Sequence, residues 1–125
     1  MSRFLQSMEQ SSRARLQGAL ARRSLEVVIG EALTTPAPRS LGQFGEVFDL
    51  IAEIKPRSPA EGELGSADLV GRAAAYQEGG AGMLSVLTEP DAFGGSLELL
   101  EAVEVLRERR RHDARRVPAT RASRS

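Results

Sequence analysis

After the connector Thr34-Thr35-Pro36-Ala37-Pro38, the apolar residues of this chain switch from helical spacing to an alternation of short strands and helices. Phe48 to Lys55 is a β-type run, and Ser66 to Glu78 is helical with Gly79 as its stop. Met83 to Leu87 is a second apolar strand, and Ser96 to about Arg109 is helical again, with Ser96 placed to cap it and Glu98 in its first turn. A strand-helix-strand-helix order implies parallel strands joined by crossover helices, which the right-handed crossover rule places against a face of the sheet.

Ahead of the connector the pattern is helical. Leu5, Met8, Leu16, Ala19 and Leu20 fall largely at spacings of three and four, which predicts an amphipathic helix over 4–20 with Ser2 as its cap. A second short helix is expected from Ser24 through Ala32, ended where Pro36 and Pro38 withhold backbone donors. The apolar stripe of the first helix is expected to cover a core. A chain of 125 residues with 41% hydrophobic and 27% charged residues fits one ordinary soluble domain. The absence of cysteine excludes a disulfide framework and a thiolate metal site, and is compatible with a reducing, cytoplasmic setting. No apolar run approaches the roughly 18 residues of a membrane helix, so no membrane partner is expected.

The net charge of +0 conceals a split. Through Leu106 there are nine basic and fifteen acidic residues, a net −6; from Arg107 onward eight arginines face only Glu108 and Asp113, a net +6. With Val117 as its single large aliphatic residue, that ending has no apolar face to dock on a core. Its arginines leave a second reading open, a non-catalytic interaction protein whose basic tail binds nucleic acid. Against it, the tail carries no aromatic residue on which a base would stack and no reader motif. His112 stands alone in that tail, without a second histidine or a cysteine to make a metal site.

Chemistry concentrates in the first strand. Lys55 is the chain's one lysine, the other sixteen basic residues being arginine, and it lies two places after Glu53. A compact ammonium of adjustable pKa does what a planar, permanently charged guanidinium does not. An arginine-biased genome that leaves one stray lysine is the plain alternative. Because strand side chains alternate, Ile51, Glu53 and Lys55 share one face, and Leu50, Ala52 and Ile54 the other. The first face passes from apolar to charged toward the strand's C-terminal end, as an inward face does in a closed parallel barrel whose top lines the active site. Glu53 and Lys55 are expected about 6–7 Å apart along the strand, near enough for charge coupling.

Three segments together resemble indole-3-glycerol phosphate synthase: Ile51-Ala52-Glu53-Ile54-Lys55-Pro56-Arg57-Ser58-Pro59, then Tyr76-Gln77-Glu78-Gly79-Gly80-Ala81, then Leu84-Ser85-Val86-Leu87-Thr88-Glu89-Pro90-Asp91-Ala92-Phe93-Gly94-Gly95-Ser96. The resemblance runs from the first helix to about Val105. It implies a partial (β/α)8 TIM barrel of the α/β class: a helical extension and connector over 1–45, the first two β/α units over 46–106, and an arginine-rich divergent tail over 107–125. It further implies a lyase of tryptophan biosynthesis, which turns 1-(o-carboxyphenylamino)-1-deoxyribulose 5-phosphate into indole-3-glycerol phosphate with loss of carbon dioxide and water. No metal or organic cofactor is implied. On the matching positions, Lys55 binds the substrate's anionic groups, Glu53 orients and charge-balances it, Ser58 belongs to the loop after the strand, and Phe93 forms the apolar wall around the anthranilate ring. Glu89 is a further candidate by position, although a strand-ending turn explains it equally well.

The departures from the family are as informative. Its next strand bears a lysine in a K-D-F motif, taken as the general acid, and later strands supply the glutamate base and the phosphate-binding residues; none has a counterpart here. Two strand-helix units do not close a barrel of about 250 residues. The reading is therefore a truncated synthase, its ending the product of a frame shift or early stop, with weak or no activity unless a complementing barrel fragment joins it. Another phosphate-sugar barrel of the same pathway, the isomerase acting one step earlier, lacks the E-x-K-x-x-S-P pattern. The glycines Gly79-Gly80-Ala81-Gly82 and Gly94-Gly95 are read as a helix stop and a turn rather than as an anion site.

Overall fold

The computed structural model describes residues 2–38, 40, 49–64 and 68–116. The chain divides into two compact units, Met1–Gln43 and Phe44–Ser125. Phe48 and Ser66, where a strand and a helix were expected to begin, lie outside the described residues, as do the 45/46 boundary and residues 117–125 of the tail.

In the first unit, α1 spans Arg3–Arg22 and α2 spans Leu25–Leu33. Each starts at a serine whose hydroxyl accepts a backbone N–H of the first turn: Ser2 from Leu5 at 3.2 Å and Ser24 from Val27 at 3.4 Å. The Thr34 and Thr35 hydroxyls donate to the Glu31 and Ala32 carbonyls, both at 2.8 Å, so the helix end is satisfied before Pro36 diverts the chain. An Arg23–Glu31 ion pair spans the bend between the two helices.

The second unit is an α/β arrangement with parallel strands. β1 (Ile51–Ile54) leads into a small hairpin of β2 (Arg57–Ser58) and β3 (Gly62–Glu63), then α3 (Leu69–Glu78), β4 (Met83–Val86) and α4 (Leu97–Arg116). β1 and β4 pair in parallel, with Ile51 opposite Met83, Ala52 opposite Leu84, Glu53 opposite Ser85 and Ile54 opposite Val86. The hairpin, antiparallel with Arg57 opposite Glu63, was not foreseen. It forms because Gly62 adopts a φ of +74° and the Leu64 N–H reaches the Pro56 carbonyl at 3.0 Å.

One apolar seam holds this unit together. Ile54, Ala73 and Val103 are buried, with Leu69, Leu84, Val86, Leu99 and Leu106 packed around them. The spacing explains it: Leu69 and Ala73 are one turn apart on α3, while Leu99, Val103 and Leu106 follow the four-three rhythm of one face of α4. Ile54 is fully buried, and such burial stabilises by about 1.5–3 kcal/mol. Both helices thus lie on the Ile54 face of the pair, and Ile51 and Glu53 alternate onto the other.

Helix ends refine the expectation. α3 begins at Leu69, where the Asp68 carboxylate accepts the Gly71 N–H at 2.7 Å. The helix stops at Gly79 as expected, which is the C-cap and keeps helical dihedrals, and the chain reverses at the following Gly80, whose φ is +98°. The Gly80 N–H bonds to the Gln77 carbonyl and the Ala81 N–H to that of Tyr76, the paired bonds of a Schellman ending. α4, expected to end near Arg109, continues to Arg116. Arginine, glutamate and alanine are good helix formers, and neither glycine nor proline interrupts 97–116.

Gly95, buried between β4 and α4, marks the tightest contact: a Cβ there would lie 2.1 Å from the Leu87 carbonyl oxygen and 2.6 Å from its carbon. Both are backbone atoms, so relief requires moving the strand end. Gly95→Ala is expected to destabilise the chain by on the order of 1–3 kcal/mol, read as a lowered Tm by circular dichroism. An unchanged Tm would show that the strand end yields freely.

Candidate active site

The C-terminal end of β1 gathers three of the candidate side chains named from the sequence, Glu53, Lys55 and Phe93. Strand alternation carries Glu53 and Lys55 to the same side, opposite the face buried under α3 and α4. Their side chains meet: Lys55 Nζ lies 3.0 Å from Glu53 Oε1, closer than strand spacing alone requires. The pair is 33% and 45% exposed, and at such exposure an ion pair contributes about 0–1 kcal/mol, so stability does not account for its placement. Nζ also lies 5.9 Å from the centroid of the Phe93 ring, within cation–π range. An ammonium has three donors, and Glu53 engages one; the others suit a further anion.

Phe93 arrives from the loop after β4, and that loop is closed by an arrangement the sequence does not announce. The Glu89 carboxylate accepts three successive backbone N–H groups: Asp91 at 3.0 Å on Oε1, with Ala92 at 2.8 Å and Phe93 at 3.1 Å on Oε2. The Glu89 carbonyl accepts the Gly95 N–H at 2.8 Å, and the Pro90 carbonyl the Gly94 N–H at 3.2 Å. Glu89 thus shapes the turn that presents Phe93, which favours the turn explanation over a direct chemical role.

From the other side comes Arg57, a residue sequence reasoning passed over. Its guanidinium donates to the carbonyls of Pro90 (3.3 Å), Asp91 (2.7 Å) and Ala92 (3.4 Å), and its backbone N–H donates to the Phe93 carbonyl at 3.1 Å. The single available signal was its place two residues beyond Lys55. Partners 33 to 35 positions away leave no trace in local spacing. Ser58 sits on the hairpin, where its hydroxyl accepts the Ala60 N–H at 3.3 Å and bonds to neither Glu53 nor Lys55. The structure therefore brings Glu53, Lys55 and Phe93 together, and leaves Ser58 engaged in its own turn.

A family model described as indole-3-glycerol phosphate synthase matches residues 5–110, which include every one of these positions. The chain belongs to the indole-3-glycerol phosphate synthase family. It is similar to the indole-3-glycerol phosphate synthase of Deinococcus radiodurans, 52% identical over 59 residues, which cover 47% of this chain and 22% of that protein. The Streptomyces griseus synthase is 43% identical over 94 residues, covering 73% of this chain and 35% of that protein. For the Mycolicibacterium gilvum synthase the figures are 41% over 102 residues, 79% and 38%. The chain thus spans about a fifth to two fifths of the length of these curated relatives. Among the described residues, no helix is long and apolar enough to cross a membrane.

Glu89→Ala leaves three neighbouring N–H groups without their acceptor. The expected result is at least tenfold faster amide exchange at Asp91, Ala92 and Phe93, with a stability loss of about 1–3 kcal/mol. Unchanged exchange at these amides in the folded variant would remove Glu89 from its place in the turn.

Proposed function

We propose that this chain provides the first two strand-helix units of an indole-3-glycerol phosphate synthase barrel, and that Lys55 is its substrate-binding cation. The reaction is the ring closure of 1-(o-carboxyphenylamino)-1-deoxyribulose 5-phosphate to indole-3-glycerol phosphate, with loss of carbon dioxide and water. The observation that carries the reading is the position of the Lys55 ammonium between the Glu53 carboxylate and the Phe93 ring.

The substrate offers an aromatic ring bearing a carboxylate, and this site offers an aromatic wall beside a cation. Lys55 would fix the carboxylate, and Phe93 would lie along the anthranilate ring, so that the carbon bearing the carboxylate faces the sugar carbonyl it joins. Glu53 holds the ammonium in place and balances its charge before substrate arrives. Ser58, on the hairpin beside the strand end, would belong to the loop bordering the substrate. No metal or organic cofactor is proposed.

Ring closure, expulsion of a hydroxyl and the final dehydration also need a general acid and a general base. With one lysine, this chain has no second ammonium to act as the acid. On this reading, binding is the contribution of these two units, and proton transfer falls to further barrel strands or to a complementing fragment.

The test grafts residues 50–95 into a full-length family member in place of its matching segment. The chimera is expected to turn over the substrate, and Lys55→Ala within it to lower kcat/KM more than tenfold with Tm nearly unchanged. An active chimera indifferent to Lys55→Ala would overturn the role of Lys55. A folded chimera without turnover would overturn the claim that this segment is a working part of the barrel.

A further inference from the structure

We infer that Arg57 is a positioning residue, which holds Phe93 over the Lys55 ammonium by clamping the carbonyls of the loop after β4. The argument begins with the polar backbone groups of residues 90–95. Their N–H groups are taken up from within: Glu89 provides the acceptors for Asp91, Ala92, Phe93 and Gly95, and Pro90 the acceptor for Gly94. The carbonyls of residues 90–93 all receive a hydrogen bond from Arg57, that of Pro90 alongside the Gly94 N–H. A loop with this many groups satisfied resists deformation, because each displaced group would need a new partner.

The choice of residue follows from the geometry. Three carbonyls in succession form a row, and a planar guanidinium, with several donors in a rigid fork, can serve a row where a single ammonium serves a point. Packing reinforces the fork. Gly94 lies beside Arg57, where a Cβ would meet the arginine Cβ in ordinary van der Waals contact at 3.6 Å, and its φ of +64° suits glycine. The backbone bond from Arg57 to Phe93 fixes the start of the first loop against the end of the second. Only one residue, Pro56, separates Arg57 from Lys55. The clamp therefore sets the distance between ammonium and ring directly, and it does so before any ligand binds.

Its functional meaning rests on the synthase reading, in which that ammonium and that ring face the substrate. The test addresses their placement alone, so it can fail while the grafted segment remains active, and can succeed while the graft fails. Because Lys55 is the only lysine, reductive methylation with 13C-formaldehyde labels one side chain besides the N-terminal amine, and retains the charge. In the unaltered chain the dimethyl-lysine signal is expected upfield of free dimethyl-lysine, shifted by the Phe93 ring current, and Phe93→Leu sets the zero. Arg57→Ala is expected to lose most of that shift, and the double variant to add nothing to Phe93→Leu. A wild-type shift in folded Arg57→Ala overturns the inference. Should Arg57→Ala fail to fold by circular dichroism, the unaltered chain decides the matter: Arg57 Nε–H is expected to exchange at least tenfold slower than exposed arginine Nε–H groups, and equal rates overturn the clamp.

Discussion

The parallel pairing of β1 with β4 is the constraint from which the rest of the second unit follows. Once Ile54 is opposite Val86 and both meet the helices, the two-residue repeat leaves no freedom for the intervening positions. Glu53 must take the other face beside Ser85, and Lys55 must leave the strand end on that side. A slip of one residue would place Glu53 under α3 and α4, burying a carboxylate among Ala73, Val103 and Leu99. The apolar seam thus fixes the register, and the register aims the charges. Stability and site geometry are two consequences of one alignment.

What the register does not determine is the distance from the ammonium to a wall. That distance depends on two loops that leave neighbouring strand ends and brace each other, with Glu89 collecting N–H groups and Arg57 collecting carbonyls. Both residues bond to backbone groups of the loop that carries Phe93. They exchange the flexibility expected of a loop for a defined shape. The close approach of Gly95 to the Leu87 carbonyl belongs to the same design, since a side chain there would push the loop off the strand that supports it.

The parts legible in the sequence were those encoded by local period. The alternation of Ile51, Glu53 and Lys55 against Ala52 and Ile54, the serine caps at Ser2 and Ser96, and the crossover order all express rules that act within a few residues. The motif segment around Lys55 also pointed to the family that matches residues 5–110. Long-range hydrogen bonding was not legible. Arg57 reads as one more arginine in an arginine-rich chain, and Glu89 as a residue near a proline turn. The hairpin at 57–63 was missed because two residue pairs leave no periodic signature, whereas the helix stop at Gly79 was legible, although consecutive glycines do not reveal that the positive φ falls on Gly80. The extent of α4 was underestimated for a related reason: loss of an apolar face was read as loss of a helix, whereas propensity alone continues the backbone to Arg116.

A cation beside an aromatic wall recognises an aromatic carboxylate, yet recognition by itself does not lower a barrier unless it acts on the transition state more than on the ground state. On the proposed reading, Lys55 meets that condition through position. Ring closure gathers electron density at the sugar carbonyl oxygen while the carboxylate waits to leave, so an ammonium near both anionic centres gains favourable interaction as the carbons approach. In the same proposal, Glu53 limits how far that attraction goes in the resting site. Held 3.0 Å away, its carboxylate competes with the substrate for the same donor group and keeps the ammonium from binding the ground-state anion so tightly that nothing is left for the reacting complex. On the proposed reading the neighbouring acid belongs to the cation's function, and a strand that kept Lys55 without Glu53 would bind more firmly and catalyse less.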